Sequence, residues 1–221
     1  MTISSKLAAA VFCAAALPIW ANAAVLDFGS GVTDGSTFTT YSEDGFTFAV
    51  STTGGTAGAA FFSTTCVIDG VNCGGDLDLV PTAQGDGGVE GRILIRQETG
   101  VTGVSDDAAT AGSITFRLLN NRAFRWTGAS AIDDTTFTFS TSVDGDLGSV
   151  TLGEGEPGQL NFATPSSILR AGDSITFTMG GSGGVDSLLL APVPVPASLP
   201  LLVSATGLMA FAARRRKSRG A

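Results

Sequence analysis

Asp76 and Asp78 stand two residues apart in Gly74-Gly75-Asp76-Leu77-Asp78-Leu79, a stretch that reads as extended. Side chains two apart in an extended chain point the same way, so the two carboxylates share a face. Acids on one face repel unless a cation or an arginine lies between them. With Glu98 and Asp186 they form a candidate all-oxygen metal site, the donor set calcium prefers. The plainer reading is Asx turns and solvated loop ends. Nothing in the chain matches an EF-hand loop or the nonapeptide calcium repeats. Asp133-Asp134 and Asp144-Gly145-Asp146 sit around an expected hairpin and offer a second carboxylate grouping.

Trp126, within Phe124-Arg125-Trp126-Thr127, is the candidate ligand-binding aromatic. If its face is open it can stack on a sugar ring; if it shares a buried face with Phe124 it is core. Tyr41 is ambiguous in the same way. The chain has no histidine, which excludes Ser-His-Asp and Cys-His nucleophiles and most catalytic zinc centres. Paired carboxylates can cleave a glycosidic bond. Such a site needs a cleft with aromatic platforms, and the exported part has only Trp126 and Tyr41 beyond its phenylalanines. No enzyme is expected.

The elements that must carry these residues are strands. Phe46, Phe48 and Val50 alternate with Thr47 and Ala49. The same period of two recurs at Ile114, Phe116 and Leu118, at Phe137 and Phe139, and at Ile175, Phe177 and Met179. Threonine outward and aromatic or aliphatic inward is the pattern of a half-buried antiparallel strand. Further strands are expected at 25–28, 59–62, 92–97, 124–129, 147–152, 159–162 and 185–190. Asp34-Gly35, Glu43-Asp44-Gly45, Asp86-Gly87-Gly88, Asp144-Gly145-Asp146 and Ala171-Gly172-Asp173 are turn signals. Residues 54–58 and the long stretch 99–112 read as loops. About ten short strands predict an all-β, two-layer antiparallel sandwich, jelly-roll-like, followed by a C-terminal transmembrane helix.

Both ends read as addresses. Residues 1–23 form a secretory signal: Lys6, an apolar run from Leu7 to Ile19, and Ala21-Asn22-Ala23 as an A-x-A cleavage site. The sandwich is expected over 24–191 and the tail over 192–221. That tail holds a proline segment, an uncharged stretch from Leu199 to Ala213, and then Arg214-Arg215-Arg216-Lys217-Ser218-Arg219. About 20 apolar residues cross a bilayer, and the basic run stays on the cytoplasmic side. Six of the 12 basic residues lie in these two segments and all 20 acidic ones lie between them, so the exported part carries −14. Such a surface repels nucleic acid and anionic lipid. Cys66 and Cys73, with six residues between them, would meet an oxidising compartment, and the even count reads as one local disulfide.

Val193-Pro194-Val195-Pro196-Ala197-Ser198-Leu199-Pro200, then the apolar stretch and the arginine cluster, resembles the VPxPA variant of the PEP-CTERM sorting signal of Gram-negative bacteria. Val193, Pro194, Pro196, Ala197, Leu199 and Pro200 match that motif. The resemblance implies export through the secretion translocon, cleavage by signal peptidase and an inner-membrane precursor. It also implies processing by an exosortase, a transpeptidase-like membrane enzyme, with a final place at the cell surface or in extracellular polysaccharide. Three blocks of the sandwich, at 74–81, 91–98 and 180–188, look like a recurrent β-rich domain of such exported proteins. The final-strand aspartate also resembles galactose-binding-like jelly rolls, which implies a structural calcium near the sandwich ends. The expected function is a structural protein of the cell surface or matrix. The alternative is a calcium-stabilised, lectin-like carbohydrate-binding module.

Overall fold

The computed structural model describes residues 23–28, 35–64, 79–80, 91–98, 107–133, 136–153, 156–161 and 166–193. The leader with Ala21, Cys66, Cys73, Asp76, Asp78 and the tail from Pro194 lie outside these residues. The chain divides into two compact units. One spans Asn22–Val193; the other comprises residues 1–21 and 194–221, which are not among those described. No helix among the described residues is long and apolar enough to cross a membrane.

Among the described residues thirteen strands run in chain order: β1 (Ala24–Leu26), β2 (Thr37–Phe38), β3 (Thr40–Glu43), β4 (Phe46–Thr53), β5 (Gly58–Ser63), β6 (Arg92–Gln97), β7 (Gly112–Leu118), β8 (Phe124–Ile132), β9 (Thr136–Thr141), β10 (Gly145–Thr151), β11 (Pro157–Asn161), β12 (Ser174–Met179) and β13 (Gly184–Pro192). They form two antiparallel sheets packed against each other. One has the order β11-β8-β13-β6-β5-β2, with β1 also pairing β13. The other has the order β10-β9-β12-β7-β4-β3. The protein is therefore all-β, and the alternating strands occupy the expected places. Their inward faces make the core. Phe177 of β12 meets Phe116 at 5.8 Å and Phe139 at 5.4 Å within its own sheet, and Trp126 of the opposite sheet at 5.3 Å.

Two strands escaped the sequence pattern. β2 is too short to show a period, and β3 (TYSE) has a single buried apolar residue, Tyr41. Asp44 and Gly45 have φ of 48° and 76°. Two successive positive values are the signature of the primed two-residue turn that joins strands with the correct twist. That turn sets Glu43 opposite Phe46 and Tyr41 opposite Phe48.

β8 and β13 share the longest ladder, and it contains two opposed irregularities. Between the pairs Asp186↔Ser130 and Leu189↔Gly128, β13 has one extra residue; between Leu189↔Gly128 and Leu190↔Trp126, β8 has one extra. A single bulge would turn every later side chain to the wrong face. The second bulge restores the match. Val185, Leu188 and Leu190 all reach the inter-sheet core, as do Trp126, Ala129 and Ala131. The cost falls on Ser187, a non-glycine residue with φ of 51°.

The outer face of the first sheet is also apolar. Ala60, Phe62, Ile93, Ile95 and Ile132 form a second buried cluster there, with Leu79 packed among them. Strand β6 is thus buried on both faces, which explains its unbroken apolar run.

Close packing makes one glycine sensitive. A Cβ on Gly112 would stand 2.0 Å from the carbonyl oxygen of Thr53, on the neighbouring strand. Gly112→Ala is expected to lower stability by about 2–3 kcal/mol or more, because backbone on both sides must move. Urea unfolding checks this; an unchanged midpoint would contradict the close approach of β4 and β7.

Candidate functional site

Strand β13 has β8 on one side along its whole length. On its other side it changes partners. β6 pairs with Gly184 and Val185, and β1 pairs with Leu188, Leu189 and Leu190. Asp186 and Ser187 fall at the joint between the two ladders. Phe28, just beyond β1, also has a positive φ of 54°. Two strained non-glycine residues therefore flank one junction, a pattern found where structure is held for a purpose.

Acidic side chains gather there. Glu43 Oε2 accepts hydrogen bonds from the Asp27 backbone N–H at 3.0 Å and from the Tyr41 hydroxyl at 2.9 Å. Partial burial, together with Asp27, raises the Glu43 pKa above its ordinary value. Burial, then the bond to Glu43, pushes the Tyr41 hydroxyl far up.

Asp186 is the most perturbed of the group. It is 1 % exposed, and its pKa is raised to about 8. Burial is the largest cause; bonds from Ser187 oppose it, and the charges of Asp27 and Glu43 reinforce it. Its Oδ2 accepts from Ser187 Oγ at 3.1 Å, while Oδ1 is buried without a hydrogen-bond partner. Directly across the ladder is Ser130, 1 % exposed, whose Oγ is also buried and unbonded. Val185 and Ala131 face the inter-sheet core, so Asp186 and Ser130 point together to the outer face.

The other end of the sandwich is closed by a buried cation. Arg96 shares the inward parity of Leu94, and its guanidinium reaches three loop carbonyls. Nη1 donates to Thr110 at 2.5 Å; Nη2 donates to Ala108 at 2.8 Å and to Gly181. Burial lowers its pKa, whereas Asp107 and Asp133 raise it. Asp107 Oδ2 in turn accepts from Ser182 Oγ at 2.8 Å and from the Gly183 N–H at 2.5 Å.

The structure separates the residues expected to act together. Asp186 lies at the junction, but Glu98 is exposed beyond the far end of β6. Val185 pairs with Leu94, and four further residues at about 3.3 Å each place Glu98 more than ten ångströms along the strand. Glu98 and Asp186 do not share a site, because Glu98 continues the strand past the end of the sheet while Asp186 sits within it. Trp126 is no stacking platform: it is 0 % exposed and donates Nε1–H to the Gly128 carbonyl at 2.6 Å. Phe124 is on its face and the paired core reading holds for both. Asp144 is engaged by Thr141 in a local turn and by the backbone N–H of the distant Ser167, and Asp146 accepts from the Gly148 N–H. Among the described residues no group of three or more carboxylates or thiols is placed to hold a metal ion.

Asp27, Ser130 and Arg96 did not stand out in the sequence, and Glu43 was legible only as the start of the Glu43-Asp44-Gly45 turn signal. No protein-family model matches this chain, and no match was found among curated proteins or solved structures.

Proposed function

We propose that this chain is an exported structural protein of the cell surface or extracellular matrix, held during export by a C-terminal membrane-spanning sorting tail and processed there by an exosortase-type enzyme. One observation supports the reading most. Ala24, the first residue after the A-x-A site, pairs with Leu190, and β13 ends at Pro192. The folded sandwich thus fills the interval between the two targeting segments, and its two ends emerge side by side. A leader and a tail could both be cut without removing a strand.

Expression of the full chain in a Gram-negative host that carries an exosortase tests this. Mass spectrometry is expected to find Ala24 as the mature N-terminus and the chain at the cell surface or in the medium. Deleting residues 193–200 is expected to shift the protein towards the medium or the periplasm. Recovery from the cytosol with the leader intact would overturn the proposal.

A further inference from the structure

We propose that the end of the sandwich from which the chain leaves β13 docks on an anionic lipid bilayer, with Leu119 and Val143 as its apolar contacts and Arg117, Arg122 and Arg170 as its contacts to headgroup phosphate. The inference rests on the sorting-tail reading above and adds to it a surface of the folded domain.

The ladder register shows what meets at that end. β13 finishes with Pro192 opposite Phe124, the first residue of β8. In the other sheet Ser174, which opens β12, pairs with Arg117 near the end of β7, and Ile175 pairs with Thr141, which closes β9. Phe46, which opens β4, meets Phe124 across the sheets at 5.3 Å. The turns and loops 44–45, 119–123, 142–144 and 166–173 therefore lie together beside the exit at Val193. Among the described residues the large exposed apolar side chains are Val25, Leu119 and Val143. Leu119 and Val143, 50 % and 48 % exposed, sit on these loops. They follow β7 and β9, which β12 separates, so two strand spacings, about 10 Å, lie between them. Val25 pairs with Leu189, three residues before Pro192, and flanks the same end. Single exposed apolar residues are ordinary, but these gather at one end.

Charge complements the apolar pair. The exported part has no lysine and six arginines, of which Arg117, Arg122, Arg125 and Arg170 are at this end. Arg117 Nε donates to the Gly172 carbonyl at 3.3 Å and Arg122 Nη1 to the Asp44 carbonyl at 2.6 Å, which holds both guanidinium groups at the loop tips. Arg170 is exposed. Glu43, Asp44, Asp144, Asp146 and Asp173 nearly balance these arginines, so most of the −14 lies elsewhere on the sandwich. The domain as a whole repels anionic lipid, and here the repulsion is cancelled. Guanidinium pairs with phosphate through a fork of donors, and an apolar side chain beside it enters the interface. The length of chain beyond β13 selects a bilayer as the partner. Six residues, 193–198, separate β13 from the uncharged stretch that starts at Leu199. Fully extended they span about 20 Å. A tail that crosses a membrane on so short a tether keeps this end near the headgroups.

The leader-free chain, residues 24–221, in nanodiscs of phosphatidylglycerol and phosphatidylcholine tests this. A photo-crosslinker on the lipid headgroup marks the residues it touches, and mass spectrometry maps them, with cross-links to 193–198 as the internal reference. Cross-links within the sandwich are expected on 117–122, 143 and 170, and fewer on discs of phosphatidylcholine alone. Arg170→Gln is expected to lower their share about fivefold. Leu119→Ser combined with Val143→Ser is expected to lower it about tenfold. All three side chains are exposed, so these variants keep the fold. Cross-links spread evenly over the sandwich, or a pattern that neither variant changes, would overturn the docking surface while the tail stays inserted. Equal yields on the two kinds of disc would overturn the role given to the arginines. A chain that does not join the discs at all would overturn the sorting-tail reading, and this proposal with it.

Discussion

Asp186→Asn is expected to stabilise the protein strongly at pH 9 and by a much smaller margin at pH 5. The direction follows from proton linkage. The Asp186 carboxyl has its folded-state pKa raised to about 8 from 3.8, chiefly by burial. Between those values the folded chain keeps a proton that the unfolded chain has lost. Its contribution is complete below about pH 4 and is lost as pH rises through about 8. A tenfold change in proton affinity corresponds to about 1.4 kcal/mol, so the wild-type penalty at pH 9 is several kcal/mol. Glu43, also raised, tilts the curve the same way. Asparagine can still accept the Ser187 bonds and has no charge to bury. Denaturant midpoints across pH 5–9 check the result. Parallel curves for the two proteins would show that Asp186 is ionised in the folded state throughout.

Arg96→Met is expected to be the most damaging single substitution in the sandwich. Methionine approximates the volume but removes every donor. The carbonyls of Ala108, Thr110 and Gly181 lose their partner, and Asp107 and Asp133 lose the positive charge beside them. Breaking one side of a buried ion network costs about 3–5 kcal/mol, because the remaining charges stay desolvated. For a domain of this size that is a fall in melting temperature of about 10 °C. Arg96→Lys is expected to fall between, since an ammonium is a point charge and cannot span three carbonyls in one plane. A calorimetric scan of the three proteins checks the order. Equal melting of Arg96→Met and wild type would mean that the loops are held by other contacts.

The fold was legible where the sequence repeats itself. Phe46-Thr47-Phe48, Ile114-Thr115-Phe116 and Ile175-Thr176-Phe177 announce one buried and one solvated face, and each lies in a strand of the second sheet. Strand β6 was legible by its apolar run Ile93-Leu94-Ile95, although no pattern says that both its faces are covered. The junction was not legible. Asp186 could be singled out as a carboxylate near the end of the domain, but its neighbours Asp27, Glu43 and Ser130 are distant in sequence and meet only through the ladder register. A bulge compensated by a second bulge leaves no trace in local composition. Trp126 misled for a related reason: the residues around it, Arg125 and Thr127, suit an exposed strand, while the indole finds its partner two residues away at Gly128.

The place of β13 in its sheet has a mechanical consequence. It is flanked by β8 on one side and by β6 and β1 on the other, and the chain leaves it at Val193. A pull transmitted through that exit would run parallel to the strand and strain many ladder hydrogen bonds at once. An edge strand pulled across its axis would instead yield them singly, like a zip. A domain suspended from this point is suited to resist drag.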